Sequence, residues 1–236
     1  MASNFPIGNI IIFIIGSIVP ALVWLWFWLK EDSVHPEPRR VIIGTFIAGG
    51  LATIPAFFLE KYTRDVLGIG VGVSLFAVWA LIEETMKYSA ALFTAERTKS
   101  YDEPVDSMIY LMTAALGFAA AENLFFLVDN SIGGAIVNEF LIGSSLRFLG
   151  ANILHPIASG IAGGIMALAF YRGTAERVYA VFFGLITATI LHTIFNSLII
   201  RSSGGEILIV FAYFWVIAAL VILLFERVKR IHAHYV

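Results

Sequence analysis

The sequence contains no cysteine, which excludes disulfides, thiolate-ligated zinc and thiol catalysis. Charge is scarce as well. Only 14% of the residues are Asp, Glu, Lys or Arg, against 59% hydrophobic, and the mean hydropathy is +0.88. A soluble globule of 236 residues could not clothe itself in so little polar surface, so the composition specifies an integral membrane protein. A net charge of -2 and a pI near 6.2 leave no basic face for nucleic acid. No repeat, low-complexity tract or soluble domain interrupts the chain, and residues 1–236 read as a single membrane domain.

What is abundant is long apolar runs. Seven are long enough to cross a bilayer, at about 9–29, 41–59, 71–94, 105–128, 144–171, 175–200 and 207–225. The expected fold is therefore all-α, a polytopic transmembrane bundle of about seven spans. The first run has no small-residue cleavage site and ends in Trp24, Trp26 and Trp28, so it reads as an anchored helix with an interfacial aromatic belt. The segment Lys30 to Arg40, with Pro36 and Pro38, reads as a short charged loop, and residues 129–143 as a loop with a short interfacial helix.

Ten of the Lys and Arg residues, in the segments around 30–40, 97–99, 172–177 and 227–230, fall on one side of these spans. Lys61, Arg64 and Arg201 fall on the other, and Lys87 and Arg147 lie inside spans. The positive-inside rule then predicts an external N-terminus and a cytoplasmic C-terminus, as a multi-pass protein of the cell membrane. An odd span count requires the same arrangement.

The third run contains Leu81-Ile82-Glu83-Glu84-Thr85-Met86-Lys87-Tyr88. One ionised side chain near the bilayer centre costs roughly 2.5 to 3.5 kcal/mol, so three together demand compensation elsewhere in the chain. Lys87 lies four residues from Glu83 and three from Glu84, within reach of either on a helix. The two carboxylates diverge by about 100°, so one lysine is not expected to satisfy both. The remaining intramembrane polar residues are Glu122 and Asn123, Asn152 and His155, and His192 and Asn196.

With a rise of about 1.5 Å per residue, Glu83 falls near the bilayer centre, and Glu122, His155 and His192 fall roughly 4 to 8 Å toward the outside. Taken singly, each could be a helix-bridging hydrogen bond worth about 0.6 kcal/mol. Four successive helices delivering acids and histidines to one slab point instead to a shared site. Small residues around Glu122 (Gly117, Ala119, Ala120, Ala121) and after His155 (Gly160, Ala162, Gly163, Gly164) suit close helix packing. Arg147 can snorkel outward, and His232 and His234 belong to a polar tail.

Taken in order, Glu83-Glu84-Thr85-Met86-Lys87 (EExxK), Val105-Asp106, Gly117-Phe118 through Glu122-Asn123 (GFxxxEN), His155 with Gly160, and Leu191-His192 through Asn196 resemble the PrsW family of intramembrane proteases, relatives of the CAAX prenyl protease and bacteriocin-processing family. Pro36-Glu37-Pro38 resembles the acidic proline loop after that family's first helix. The resemblance implies a polytopic protease acting on membrane-anchored proteins, anti-sigma factors among them. The wider family carries FxxxH where this chain ends the motif in Glu122, which argues against prenyl-protein processing and makes His155 the stand-in for the missing histidine.

No HExxH is present, and Ser159, four residues from His155, has no acid nearby in sequence to complete a triad. The expected chemistry is a water activated by Glu83 as general base, with His155 orienting it or sharing the proton. His192 and Asn196 would stabilise the oxyanion from one helix face, and Glu84, Glu122, Lys87, Asn123 and Asn152 would complete or support the site. No cofactor is required by this scheme. The alternative is Zn2+ held by Glu83, Glu122, His155 and His192, a donor set that suits zinc with an open position. From other classes, mid-membrane acids and histidines also serve proton-coupled transport, and seven spans with an external N-terminus match receptor topology. The last run lacks a Lys for a retinal Schiff base.

Overall fold

The structure is a computed structural model that describes residues 7–31, 35–132, 137–202 and 205–231, with side-chain surroundings described in these segments except at 7–10, 12 and 129–149. The tail histidines His232 and His234 and the Arg147 side chain lie outside the described residues. Among the described residues, seven α-helices follow one another: α1 (Ile7–Glu31), α2 (Arg39–Asp65), α3 (Val73–Ala91), α4 (Asp106–Ile132), α5 (Val137–Leu168), α6 (Thr174–Arg201) and α7 (Glu206–Val228). A π-helical turn, Leu92–Glu96, ends α3. Six of the seven helices are long and apolar enough to cross a membrane. The exception is α3, whose 19 residues carry Glu83, Glu84 and Lys87.

Breaks between helices follow local chemistry. Pro36 and Pro38 hold the chain extended before α2, and Pro38 sits at its N-cap with ψ 123°. Pro20, Pro55 and Pro156, by contrast, lie inside α1, α2 and α5. Membrane helices tolerate such prolines because neighbouring helices and side chains satisfy the freed carbonyls.

The central elements are α4 and α5, with 67% and 83% of their apolar windows buried, against 22–33% for α1, α2, α6 and α7. The peripheral helices turn large apolar side chains outward, for example Phe58, Phe183 and Leu208. That is the pattern of a bundle solvated by lipid tails. Small residues set the closest approaches. A Cβ on Gly49 would stand 2.0 Å from the Ala114 carbonyl oxygen, and one on Gly117 1.9 Å from that of Phe46, so α2 and α4 touch backbone to backbone. Gly163 brings α5 equally against Ser107 and Met108 of α4.

Two expectations are corrected. The fifth span is not preceded by a separate interfacial helix: α5 runs unbroken from Val137 to Leu168, because glycines at 143 and 150 do not interrupt a helix that neighbours support. The tryptophan belt is split. Trp26 is 62% exposed, but Trp28 is 3% exposed and packs 5.5 Å from Phe225, while Trp24 meets Trp215 at 5.9 Å. Positions two apart on a helix diverge by about 200° and positions four apart by about 40°, so Trp24 and Trp28 turn into the bundle together and Trp26 turns away from it.

Candidate active site

The polar residues of α3, α4, α5 and α6 meet in the bundle interior, as their common depth predicts. Lys87 is the hub. Its side chain is fully buried, and its Nζ stands 2.7 Å from Glu84 Oε1, 2.7 Å from His155 Nδ1 and 3.5 Å from Glu83 Oε2. The ammonium also lies 4.7 Å from the Phe118 ring centroid. One lysine thus binds one carboxylate tightly and the other loosely, as the divergence of adjacent helical side chains requires.

The other contacts fix the proton positions. An ammonium is donor only, so His155 Nδ1 accepts from Lys87, and its Nε2–H donates to Glu122 Oε2 at 2.8 Å. His192 Nδ1–H donates to Glu84 Oε1 at 2.9 Å, leaving its Nε2 lone pair 3.8 Å from Glu83 Oε2. Ser159 Oγ donates to Glu84 Oε2 at 3.1 Å. A serine bonded to the acid instead of to a histidine is not the nucleophile of a triad.

The adjacent carboxylates therefore differ. Glu84 accepts from Lys87, His192 and Ser159 and is 2% exposed. Among the described residues, Glu83 makes no side-chain hydrogen bond or ion pair shorter than the 3.5 Å to Lys87, and it lines a cavity of about 150 Å³. That cavity is shared with Glu122, His155, His192 and Asn196, and is walled by Phe76, Trp79, Phe195 and Ile199. Asn123 and Asn152 are buried outside this lining.

Glu60 of α2 also lines the cavity, a residue that sequence reading passed over. Its position near the end of a span, in the run Phe58-Leu59-Glu60-Lys61, reads as an ordinary helix terminus. Trp79 Nε1 donates to the Glu60 carbonyl at 3.3 Å and to Thr63 Oγ1 at 3.1 Å, which fastens α3 to this turn of α2.

Glu83, His155 and His192 offer ligand atoms that lie within 4.8 Å of one another, and two imidazoles with one carboxylate are a donor set of the kind zinc accepts. Glu122 is not part of that group. In charge and occupancy the set does not fit a divalent ion as it stands. The Lys87 ammonium already holds the His155 Nδ1 lone pair and stands 3.5 Å from Glu83, so a metal there would share its ligands with a buried cation.

The comparisons with known proteins agree with the motifs. Residues 37–224 match the family model described as PrsW family intramembrane metalloprotease. Among curated relatives, the Protease PrsW of Geobacillus kaustophilus is 27% identical over 192 residues, covering 78% of each chain. That of Oceanobacillus iheyensis is 25% identical over 211 residues, covering 86% of this chain and 91% of its own. That of Bacillus subtilis is 23% identical over 180 residues, covering 75% and 78%. No solved structure matches the chain. With the matched region spanning every residue of the α3–α6 polar network, the chain belongs to the PrsW family of intramembrane proteases.

Proposed function

We propose that the chain hydrolyses peptide bonds of membrane-anchored proteins, with Glu83 as the general base that activates water. The observation that carries this reading is the division between the two carboxylates: Glu84 is saturated by three donors, while Glu83 is loosely held and lines the cavity. A base must be free to approach the proton it removes. In the cleavage step Glu83 takes a proton from water, the resulting hydroxide attacks the scissile carbonyl, and the carboxylic acid then gives that proton to the departing amine.

The oxyanion needs donors. Asn196 carries an amide on the cavity wall and is one helical turn from His192. With its Nδ1–H donated to Glu84, His192 turns an Nε2 lone pair toward the cavity, where it accepts a hydrogen bond from the attacking water and orients it, so the oxyanion donor on this helix is the Asn196 amide. His155 is held from both ring nitrogens, by Lys87 and Glu122, and acts as a positioning residue that keeps Glu122 and the α3 acids in register.

A second reading keeps zinc, because Glu83, His155 and His192 have the donor types and the span for it. Bound there, the metal would supply an acidic, nucleophilic water. It would first require Lys87 to release His155. The two readings separate in one experiment: purified protein in liposomes, supplied with a panel of single-span membrane proteins and assayed with chelator and after zinc addition. Chelator-insensitive cleavage, lost by about 10²–10⁴-fold in Glu83→Gln, supports the glutamate reading. Cleavage abolished by chelator and restored by zinc establishes the metal, and undiminished cleavage by Glu83→Gln removes both.

A further inference from the structure

Two motifs that the proposed chemistry does not use, Pro36-Glu37-Pro38 and Val105-Asp106, meet at the other end of α4, about 24 Å along the helix from Glu122. Glu37, Glu103 and Asp106 each bring a carboxylate oxygen to within 4.8 Å of the others. The flanking prolines hold Glu37 extended ahead of α2, and Tyr110 Oη donates to it while standing 3.1 Å from the Ser100 carbonyl. The cluster is thus built from the loop before α2 and the loop before α4.

Asp106 supplies the decisive detail. It is fully buried, and its Oδ2 accepts the backbone N–H groups of Asp102 and Glu103, each at 2.8 Å. Among the described residues no N–H or hydroxyl donates to its buried Oδ1, and its carboxyl group lies within hydrogen-bonding reach of that of Glu37. Two carboxyl groups in contact, one of them buried and a third beside them, are costly unless a shared proton or a metal cation bridges them, and a metal cation has all three as donors. Among the described residues, the His35 imidazole stands 3.5 Å from Glu103 Oε2 and is 74% exposed, so it reaches the outer acid and not the buried one.

We propose that Glu37, Glu103 and Asp106 form a binding site for a hard divalent cation, Mg2+ or Ca2+, that ties the loop before α2 to the loop before α4. Three carboxylates make an all-oxygen donor set, which selects these ions over zinc or copper. The site is independent of the cleavage reading. In the orientation given by the lysines and arginines it faces the cytoplasm.

The test uses the full chain in detergent, stripped with chelator, with Mn2+ as a spectroscopic probe read by electron paramagnetic resonance. Wild type is expected to bind one Mn2+ saturably, to lose it to added Mg2+ or Ca2+, and to gain apparent Tm from the same ions. The ion that competes at the lower concentration identifies the occupant. Glu83→Gln is expected to bind unchanged, because the membrane cavity is not involved, and Asp106→Asn to lose both binding and the Tm response. If Asp106→Asn does not fold, Glu103→Gln, on the loop, is expected to weaken Mn2+ binding at least tenfold. The proposal is overturned if wild type shows no saturable site, if neither Mg2+ nor Ca2+ competes, or if binding survives Asp106→Asn and disappears in Glu83→Gln.

Discussion

Lys87→Met probes the hub of the network. The substitution keeps most of the apolar stem and removes the ammonium, leaving Glu83 and Glu84 side by side in the bundle with no cation between them. Removing one partner of a buried ion pair costs about 3–5 kcal/mol, because the remaining charge is stranded. In a chain of this size each kcal/mol moves Tm by about 2–4 °C, which places the expected loss at about 6–20 °C. Tryptophan fluorescence during heating in detergent reads it directly, since the sequence holds five Trp residues and Trp79 lines the site. The double variant Lys87→Met/Glu84→Gln should recover part of the loss, as the stranded charge is removed with its partner. Lys87→Met should also free the His155 Nδ1 lone pair, so on the glutamate reading the variant binds zinc more tightly than wild type. A Lys87→Met protein that melts within about 2 °C of wild type would show that the ammonium is not what holds the two acids.

Other substitutions address separate parts of the molecule. Glu60→Gln, which alters a cavity wall without touching the proposed base, is expected to raise KM for single-span substrates while leaving kcat near wild type; equal losses in both would make Glu60 part of the chemical step. His192→Phe removes the Nε2 lone pair and the bond to Glu84, and should lower kcat by about 10²-fold or more, measured by single-turnover cleavage. In α2, Gly49→Ala forces a Cβ to within 2.0 Å of the Ala114 carbonyl and should destabilise by about 1–3 kcal/mol or more. Gly44→Ala on the same helix meets nothing within 4 Å and should stabilise by about 0.5–1 kcal/mol, so a Gly49→Ala protein as stable as Gly44→Ala would refute the close α2–α4 contact.

The helices were legible in the sequence because each span is a long apolar run. The site was legible because charge inside such a run is expensive and therefore conspicuous. Glu83, Glu84, Lys87, Glu122, His155 and His192 stand out on that ground alone, and depth along each helix correctly placed them together. Which partner each would take was hidden, since that depends on helix rotation. Ser159 reads as one more small polar residue until it is found against Glu84, and Glu60 lies where a span ends and charge carries no penalty. The three tryptophans misled for the complementary reason: aromatic residues near a span end suit an interface, but the same rings fill a helix contact equally well, as Trp28 does.

The pattern of bonds also says what holds the interior together. Lipid tails are as apolar as leucine, so helices in a bilayer gain little from burying apolar faces against one another, and polar bridges and backbone contacts must supply the specificity. Here Glu84 joins α3 to α5 through Ser159 and to α6 through His192, Lys87 adds His155, and His155 carries the connection on to Glu122 of α4. Glu83 alone among these acids adds no short bridge between helices. On the proposed reading, stability and reactivity fall to neighbouring carboxylates on one turn. Glu84→Gln should lower both the apparent Tm and the activity, whereas Glu83→Gln should abolish cleavage while melting close to wild type. If the two variants lose stability equally, Glu83 is structural, and the base must be sought among the other acids that line the cavity, Glu122 and Glu60.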